Sequence, residues 1–444
     1  MDAILKEIYE MDSARMEQCS RNVMLGGGTR GGPVLVRGKG VRVWDDKGKD
    51  YIDCTSQSWA LYLGYANDEI NKVIIEHIGN MTHIHQGFDT KPRFYLANKL
   101  ASLAPGDLNR VSFTVGGGAA IEAAMKIAIK NVQPSRDFAC LYDSYHGTTL
   151  SSMGASWIST KSEGKYIGGS RFLSLTRSFV RIPNPYVYRN PFNVPPETYL
   201  DMCITMARET FLRGVAGKPA GVLVEPIQAS AGQIILPKRY LQELRKLCDE
   251  FQTLLIFDEI QTFGRIGEMF AADYFGVTPD IIVLGKGLGA GLPLACIIVS
   301  EKLDGFSPDT EELHTFANPT LSMVTAAKQL AMLEHGILEN CNRMGAYLGD
   351  GIRDMMKEFP EIGDVRQAGL HIGVEFVRDP VGKEPIRKET IDIRDAGFKH
   401  GIIFGLGGVR KNVLKVKPPL IVNKNECDEI LDKFRSSVKG VLRR

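Results

Sequence analysis

Much that would classify this 444-residue chain at a glance is missing from it. No Cys-x-x-Cys pair occurs among its eight cysteines (19, 54, 140, 203, 248, 296, 341 and 427), so the spacing favours neither a zinc site nor a disulfide framework. A reducing cytoplasm is the expected compartment. The first residues, Met1-Asp2-Ala3-Ile4-Leu5-Lys6-Glu7, lack the charged-then-apolar pattern of a signal peptide. Net charge is only +2 and no basic run occurs, which argues against nucleic acid or a membrane surface as partner. There is no repeat, no low-complexity tract and no Gly-Lys-Ser/Thr of a phosphate-binding P-loop. The run Gly26–Gly31 formally matches Gly-x-Gly-x-x-Gly, yet no strand precedes it and Gly31-Gly32-Pro33 blocks a helix after it. It reads as a flexible loop. The longest apolar stretch, 281–299, holds a lysine, four glycines and a proline, and no second such segment exists to pack against it, which excludes a membrane span. His83-Ile84-His85 has no cysteine or acidic cluster nearby and reads as structural or solvated.

What is present is an α/β pattern long enough for two domains, or for one large domain with an appendage. Residues 34–36, 41–44 and 51–53 read as a small antiparallel meander, with a hairpin turn at Asp45-Asp46-Lys47-Gly48. From about residue 67, short apolar runs alternate with helical stretches. The runs lie at 111–114, 138–141, 221–224, 254–257, 281–284 and 295–299, and continuous apolar runs predict strands buried on both faces. Helices are predicted over 119–131, 197–213 and 238–251. Residues 154–196 read as a long functional loop with a little helix, and the first 20 or so as a polar helix. A long helical region over 320–357 leads into strands near 363–366 and 373–376, then a helix, a strand and a terminal helix. The expected domains are 1–56 packing with the small domain, 57–325 as the large domain and 326–444 as a small α+β domain.

Lys286 is the residue that draws attention. It is the only charged residue between Asp280 and Glu301, delivered by an apolar strand into glycines at 285, 287, 289 and 291. Burial without a partner lowers a lysine's pKa and makes the amine nucleophilic. The segment alone serves equally for a lysine that snorkels to solvent. Four other strand ends qualify that choice, because ligands in open α/β sheets bind beyond the carboxyl ends of the strands. Val115-Gly116-Gly117-Gly118-Ala119 opens a helix and offers backbone N–H groups to a phosphate, or is an ordinary glycine-rich turn. Tyr145-His146-Gly147 offers an aromatic face, Glu225-Pro226 a carboxylate, and Asp258-Glu259-Ile260-Gln261 an aspartate that needs a cationic or N–H partner or else caps its own turn.

Taken together, these segments resemble the class III (ornithine/4-aminobutyrate-type) aminotransferases of fold type I, which use pyridoxal 5′-phosphate. Matching stretches include Gly48–Asp53, Tyr145–Gly147, Asp258–Arg265, Leu284–Gly287, Asn318-Pro319 and Gly363–Arg366. The resemblance implies an α/β fold with a mostly parallel central sheet, helices on both faces and a smaller α+β domain. It implies that Lys286 holds the cofactor as a Schiff base and shuttles the proton, and that Asp258 pairs with the pyridinium nitrogen. Tyr145 would stack on the ring, beside His146 and Glu225. Gln261 would lie near the ring hydroxyl, and Gly117 and Gly118 would bind phosphate. Thr315 is the implied phosphate ligand from the neighbouring subunit, making the active unit a homodimer with shared sites and leaving a tetramer open. Trp59 matches a segment that lines the substrate pocket. The implied reaction moves an amino group between an amino acid or amine and a 2-oxo acid. Amino-acid racemase or epimerase and amino-alcohol phospho-lyase are the alternatives within the family. A non-catalytic nucleotide-binding α/β protein is the alternative outside it.

Two departures from the family pattern matter. The phosphate loop lacks a usual hydroxyl and carboxylate, reading Gly116-Gly117-Gly118-Ala119-Ala120. Near the end, Lys415-Val416-Lys417-Pro418-Pro419 has a lysine where many members carry an arginine that grips a substrate carboxylate. Lys415 offers a point charge rather than a fork. It is expected to pair with Glu225 in the absence of substrate, with Arg410 as the other candidate for the carboxylate.

Overall fold

The computed structural model describes residues 2–24, 32–157, 161–162, 165–166, 168–176, 179–308 and 310–443. The glycine run at 26–31 lies outside the described residues. Two seven-stranded sheets carry the fold. In the first, the spatial order is Leu108–Thr114, Ala295–Ser300, Ile281–Leu284, Leu254–Asp258, Gly221–Val224, Phe138–Leu141 and Phe179–Ile182. Ala295–Ser300 runs antiparallel to both neighbours, and the other pairs are parallel. Six of these strands coincide with the apolar runs of the sequence. The seventh, Phe179–Ile182, falls in the stretch expected to be a loop. It stops before Pro183, pairs only with Phe138–Leu141 at the sheet edge and is only partly buried over its first three residues, so it lacks the two-sided burial that marks the inner strands.

The sheet is apolar on both faces. Val222, Val224, Leu255, Phe257, Ile282 and Leu284 join one core, while Leu223, Ile256, Ile281 and Val283 join a second. Helix Lys238–Phe251 covers the first through Tyr240, Leu241 and Leu244, and helix Gly117–Asn131 the second through Ala120, Ile121 and Ala124. The five inner strands are therefore buried on both sides, which is why the sequence shows unbroken apolar runs and no alternation there.

The second sheet has the order Leu35–Lys39, Arg42–Asp45, Asp50–Cys54, Ile402–Gly407, Val413–Val416, His371–Phe376 and Ile362–Ala368. Asp50–Cys54 pairs in parallel with Ile402–Gly407, joining the N-terminal meander to the C-terminal strands. A three-stranded ribbon gains four further strands in this way. The hairpin turn closes with the Gly48 N–H donating to Asp45 O at 3.0 Å, and Gly48 at φ +82°. Three local expectations are corrected. The N-terminal helix is two, Ala3–Tyr9 and Ser13–Ser20, because Asp12 caps the second through the Arg15 N–H at 2.8 Å. The region 320–357 breaks between Thr320–Met332 and Leu338–Asp354, where Gly336 adopts φ +92°. The C-terminal part holds one strand more than expected, Val413–Val416, and this strand bears Lys415.

Candidate active site

The parallel strands end at one edge of the large sheet, and the residues that leave them surround a cavity of about 230 Å³. Gly117, Gly118, Tyr145 and His146 line it on one side, and Glu225, Asp258, Gln261 and Lys286 on the other strand ends. Each had been singled out in the sequence. Thr148, Thr149, Ile227 and Ile260 also line it and had not been.

Lys286 follows its strand after Gly285, in a left-handed conformation, φ +45°. Its remaining exposure is toward the cavity it lines. Burial holds its ammonium below the usual lysine range, and the nearby Asp258 and Glu225 carboxylates oppose that shift. Asp258 ends the neighbouring strand and is 5% exposed. One carboxylate oxygen accepts from the Ile260 N–H at 3.1 Å, and the other lies 2.8 Å from Nδ1 of the buried His146. With the carboxylate ionised, Nδ1 carries the proton of that bond. His146 therefore fixes Asp258, while its own backbone N–H donates to Ser156 Oγ at 2.8 Å. Glu225 accepts from the Tyr145 N–H at 2.8 Å and the Ala229 N–H at 3.3 Å. Burial pushes its pKa to about 7; His146 and these N–H groups pull it down, and Asp258 adds to the rise.

Helix Gly117–Asn131 begins without a side-chain cap, so its first backbone N–H groups are available to a ligand. A Cβ at Gly117 would come within 2.8 Å of Ile260 Cδ1, and one at Gly118 within 2.8 Å of Thr149 Cγ2. Ile260 and Thr149 thus occupy the space that larger residues would need. Thr149 also returns to this wall the hydroxyl that the loop sequence lacks. That Oγ1 donates to Glu122 at 2.6 Å.

A second group of side chains lies behind Gln261. Ser56, Gln57, Ser58 and Trp59 form a left-handed turn with φ of 43°, 46°, 59° and 68°. Such a turn costs about 1–2 kcal/mol per residue. It is held by the buried Asp53, which accepts from the Thr55 N–H (2.7 Å), the Gln57 N–H (3.1 Å) and the Tyr65 hydroxyl (2.8 Å). Ser56 Oγ donates to the Lys417 carbonyl at 2.7 Å and accepts from Arg265 at 3.1 Å. The turn presents the Trp59 ring to two ammonium groups, Lys415 Nζ at 4.8 Å and Lys417 Nζ at 4.4 Å from its centroid.

The expected Lys415–Glu225 ion pair is not formed. Lys415 lies along Gly405 and Gly407 over Trp59, and Glu225 is engaged by backbone N–H groups instead. Arg410 is exposed and lines a separate cleft of about 800 Å³ with Asp143, Trp157 and Glu375. Thr315 is exposed and does not line the cavity of its own chain. His83 packs on Phe316 and His85 Nδ1 accepts from the Gly87 N–H, placing both in local structure. Lys417, just past the strand Val413–Val416, is a buried contact of Trp59 and Gln261 that was not singled out from the sequence.

The donor set fits pyridoxal 5′-phosphate: a glycine-lined helix start for the phosphate, a carboxylate held in place for the ring nitrogen, and a buried amine for the aldehyde. Comparison with known proteins agrees. The family model "Aminotransferase class-III" matches residues 29–438. Leucine/methionine racemase of Thermococcus litoralis is 31% identical over 413 residues, covering 92% of this chain and 91% of that protein. Taurine–pyruvate aminotransferase of Bilophila wadsworthia is 30% identical, covering 90% of each. The crystal structure of an (S)-enantioselective omega-transaminase from Thermomicrobium roseum superposes with a TM-score of 0.84 at 28% identity, covering 97% of this chain and 99% of that one. The chain belongs to the class III aminotransferase family and is a fold type I, pyridoxal-phosphate-dependent enzyme.

Proposed function

We propose that the protein moves an amino group between an amino acid or amine and a 2-oxo acid, with Lys286 as the residue that carries the cofactor. The observation that bears most weight is that Lys286 and Asp258 face one cavity whose far wall is the glycine-lined helix start. When bound, the cofactor supplies an electron sink and carries the amino group between half-reactions. The protein's part is positioning and proton transfer. Lys286 Nζ, whose pKa burial lowers, takes the proton from the substrate carbon and returns it. Asp258, fixed by His146 and the Ile260 N–H, keeps a proton on the ring nitrogen. Gly117 and Gly118 would give backbone N–H groups to the phosphate, Tyr145 would cover a ring face and Gln261 would reach the ring hydroxyl, all four lining the one cavity. Trp59 and Lys415 lie on the substrate side. A screen of amines and amino acids tests this, reading spectral change together with appearance of the oxo product. Stoichiometric amine transfer is expected.

Racemisation is the second reading, favoured by the 31% identity to the leucine/methionine racemase, which is no lower than the 30% to the taurine–pyruvate aminotransferase. Loss of α-deuterium with inversion and no net amine transfer would select it. An amino-alcohol phospho-lyase would instead release phosphate. We further propose a homodimer in which Thr315 reaches the partner's phosphate site. Its exposure, beside Leu313 and Phe316 at 49% and 60% exposed, supports that placement. We take residues 1–56 and 326–444 as one small domain on a large domain of 57–325. The cytoplasm is the proposed compartment, supported by eight free thiols.

A further inference from the structure

Arg181 sits on the edge strand Phe179–Ile182, across from Cys140 of the neighbouring strand. The four acceptors that its guanidinium meets are all neutral. Nη1 reaches Ala155 O at 2.6 Å, Cys140 Sγ at 2.8 Å and Ser144 Oγ at 3.3 Å, and Nη2 donates to Gly154 O. Burial pushes the Cys140 thiol up to about 11, with Arg181 opposing the rise, so the thiol keeps its proton. Gly154 and Ala155 end the short helix Leu150–Ala155, whose last carbonyls have no partner within the helix and attract a cation. The segment 144–147 is laid against that helix end. Ser144 Oγ donates to Ala155 O at 2.8 Å, the His146 N–H donates to Ser156 Oγ at 2.8 Å, and Ser156 Oγ lies 2.8 Å from Gly147 O. Ser144, His146 and Ser156 are buried. Tyr145 is bracketed by these bonds on both sides, and His146 Nδ1 arrives 2.8 Å from the Asp258 carboxylate.

Two short segments, 144–147 and 150–156, must therefore keep one register for His146 to meet Asp258. Arg181 ties both to the large sheet. It holds the helix end through Gly154 and Ala155, the segment through Ser144 and the adjoining strand through Cys140. A guanidinium presents five N–H groups in a rigid plane, whereas a lysine ammonium is a point with three donors. Only the planar group spans acceptors on three elements at once. We propose that Arg181 is a positioning residue: its fork fixes the segment 144–147 and so sets where His146 holds the Asp258 carboxylate that the cofactor's ring nitrogen requires. The contacts form an unbroken path from Arg181 through Ala155 and Ser144 to His146 and Asp258. Groups that act directly depend on such supporting contacts for their place.

The inference rests on the proposed place of Asp258 at the ring nitrogen and on no other part of the proposed function. Titrating the holoenzyme's visible absorbance with pH tests it without any amine transfer. A proton on the ring nitrogen disfavours a second one on the nitrogen that joins the cofactor to Lys286. Asp258→Asn, the reference variant, should therefore raise the midpoint of the titration. Arg181→Lys keeps the charge and loses the fork. It should raise the midpoint in the same direction by about 0.3 pH unit or more, a twofold change in the ionisation constant. In a His146→Ala background the link to Asp258 is cut, and Arg181→Lys should add nothing further. Melting temperatures show which variants are folded. Ser156→Ala frees the His146 N–H without touching the guanidinium; it is the second variant if Arg181→Lys does not fold, and it should raise the midpoint likewise. A midpoint unmoved in the folded variant, or a shift just as large without His146, overturns the proposal and leaves the role of Asp258 standing. A midpoint unmoved by Asp258→Asn removes that role and the proposal with it.

Discussion

Lys415 and Lys417 are buried and Lys286 is half-buried, and their neighbours set them apart. Lys286 is the one that lines the cavity with two carboxylates close by, Asp258 and Glu225. Lys415 and Lys417 lie against Trp59 with no carboxylate in contact. Lys286→Ala should therefore lower kcat by about two to four orders of magnitude, the range for losing a positioned acid–base group, while the fold persists. Steady-state kinetics and circular dichroism check both halves. A second prediction concerns pH. Burial pushes Lys415 down to about 7, with Lys411 and Lys286 adding to the shift and Glu225 opposing it, and burial pushes Glu225 up to about 7. As pH rises through that value, Lys415 loses its charge and Glu225 gains one, and both changes disfavour an anion. Affinity for an anionic ligand should fall on going from about pH 6 to about pH 8.5; calorimetry at several pH values would show it, and a flat profile would contradict it. Lys286 and Asp258 each read equally well as structural when taken alone; what marked them in the sequence was their place among several strand ends of one open α/β sheet and the family resemblance those segments share. The Lys415–Glu225 pair was misjudged, because opposite charges on one site do not reveal that backbone N–H groups already hold the glutamate.

Among the elements, the turn that opens helix Gly117–Asn131 depends on close packing. Gly117→Ala would press on Ile260 Cδ1, which lies 2.8 Å from the added carbon. Overpacking of this kind costs about 1–3 kcal/mol. The expected result is a lower melting temperature and faster cofactor loss on dialysis. Glu259 makes a comparable point. It is fully buried, and its carboxylate accepts from the Ala272 N–H at 3.0 Å and from the Ala271 N–H, so it caps helix Ala271–Phe275. Glu259→Ala should destabilise by about 1–3 kcal/mol, the cost of leaving buried donors unmet, as measured by urea unfolding. The five inner strands of the large sheet were readable because burial on both faces erases polar residues. Phe179–Ile182 was not, being an edge strand next to a proline. Val413–Val416 was obscured by the lysine that makes it interesting.

For the whole molecule, the chain's two ends meet in one sheet. The pairing of Asp50–Cys54 with Ile402–Gly407 makes the N-terminal meander part of the C-terminal unit. Composition could foretell that the meander needed further strands, but not which strand would receive it, because sheet order is set by tertiary contact. The proposed dimer makes its own prediction. If Thr315 completes the partner's site, mixing Lys286→Ala subunits with Thr315→Ala subunits gives heterodimers with one intact site. Random reassortment should then restore up to about a quarter of native activity from two impaired parents. No recovery after demonstrated subunit exchange would count against shared sites. The most direct test of the account as a whole is to reduce the holoenzyme with borohydride, digest it and find the residue that carries the cofactor by mass spectrometry. The account predicts a single modified peptide with the cofactor on Lys286. A cofactor fixed instead to Lys415 or Lys417, or no covalent adduct at all, would contradict it.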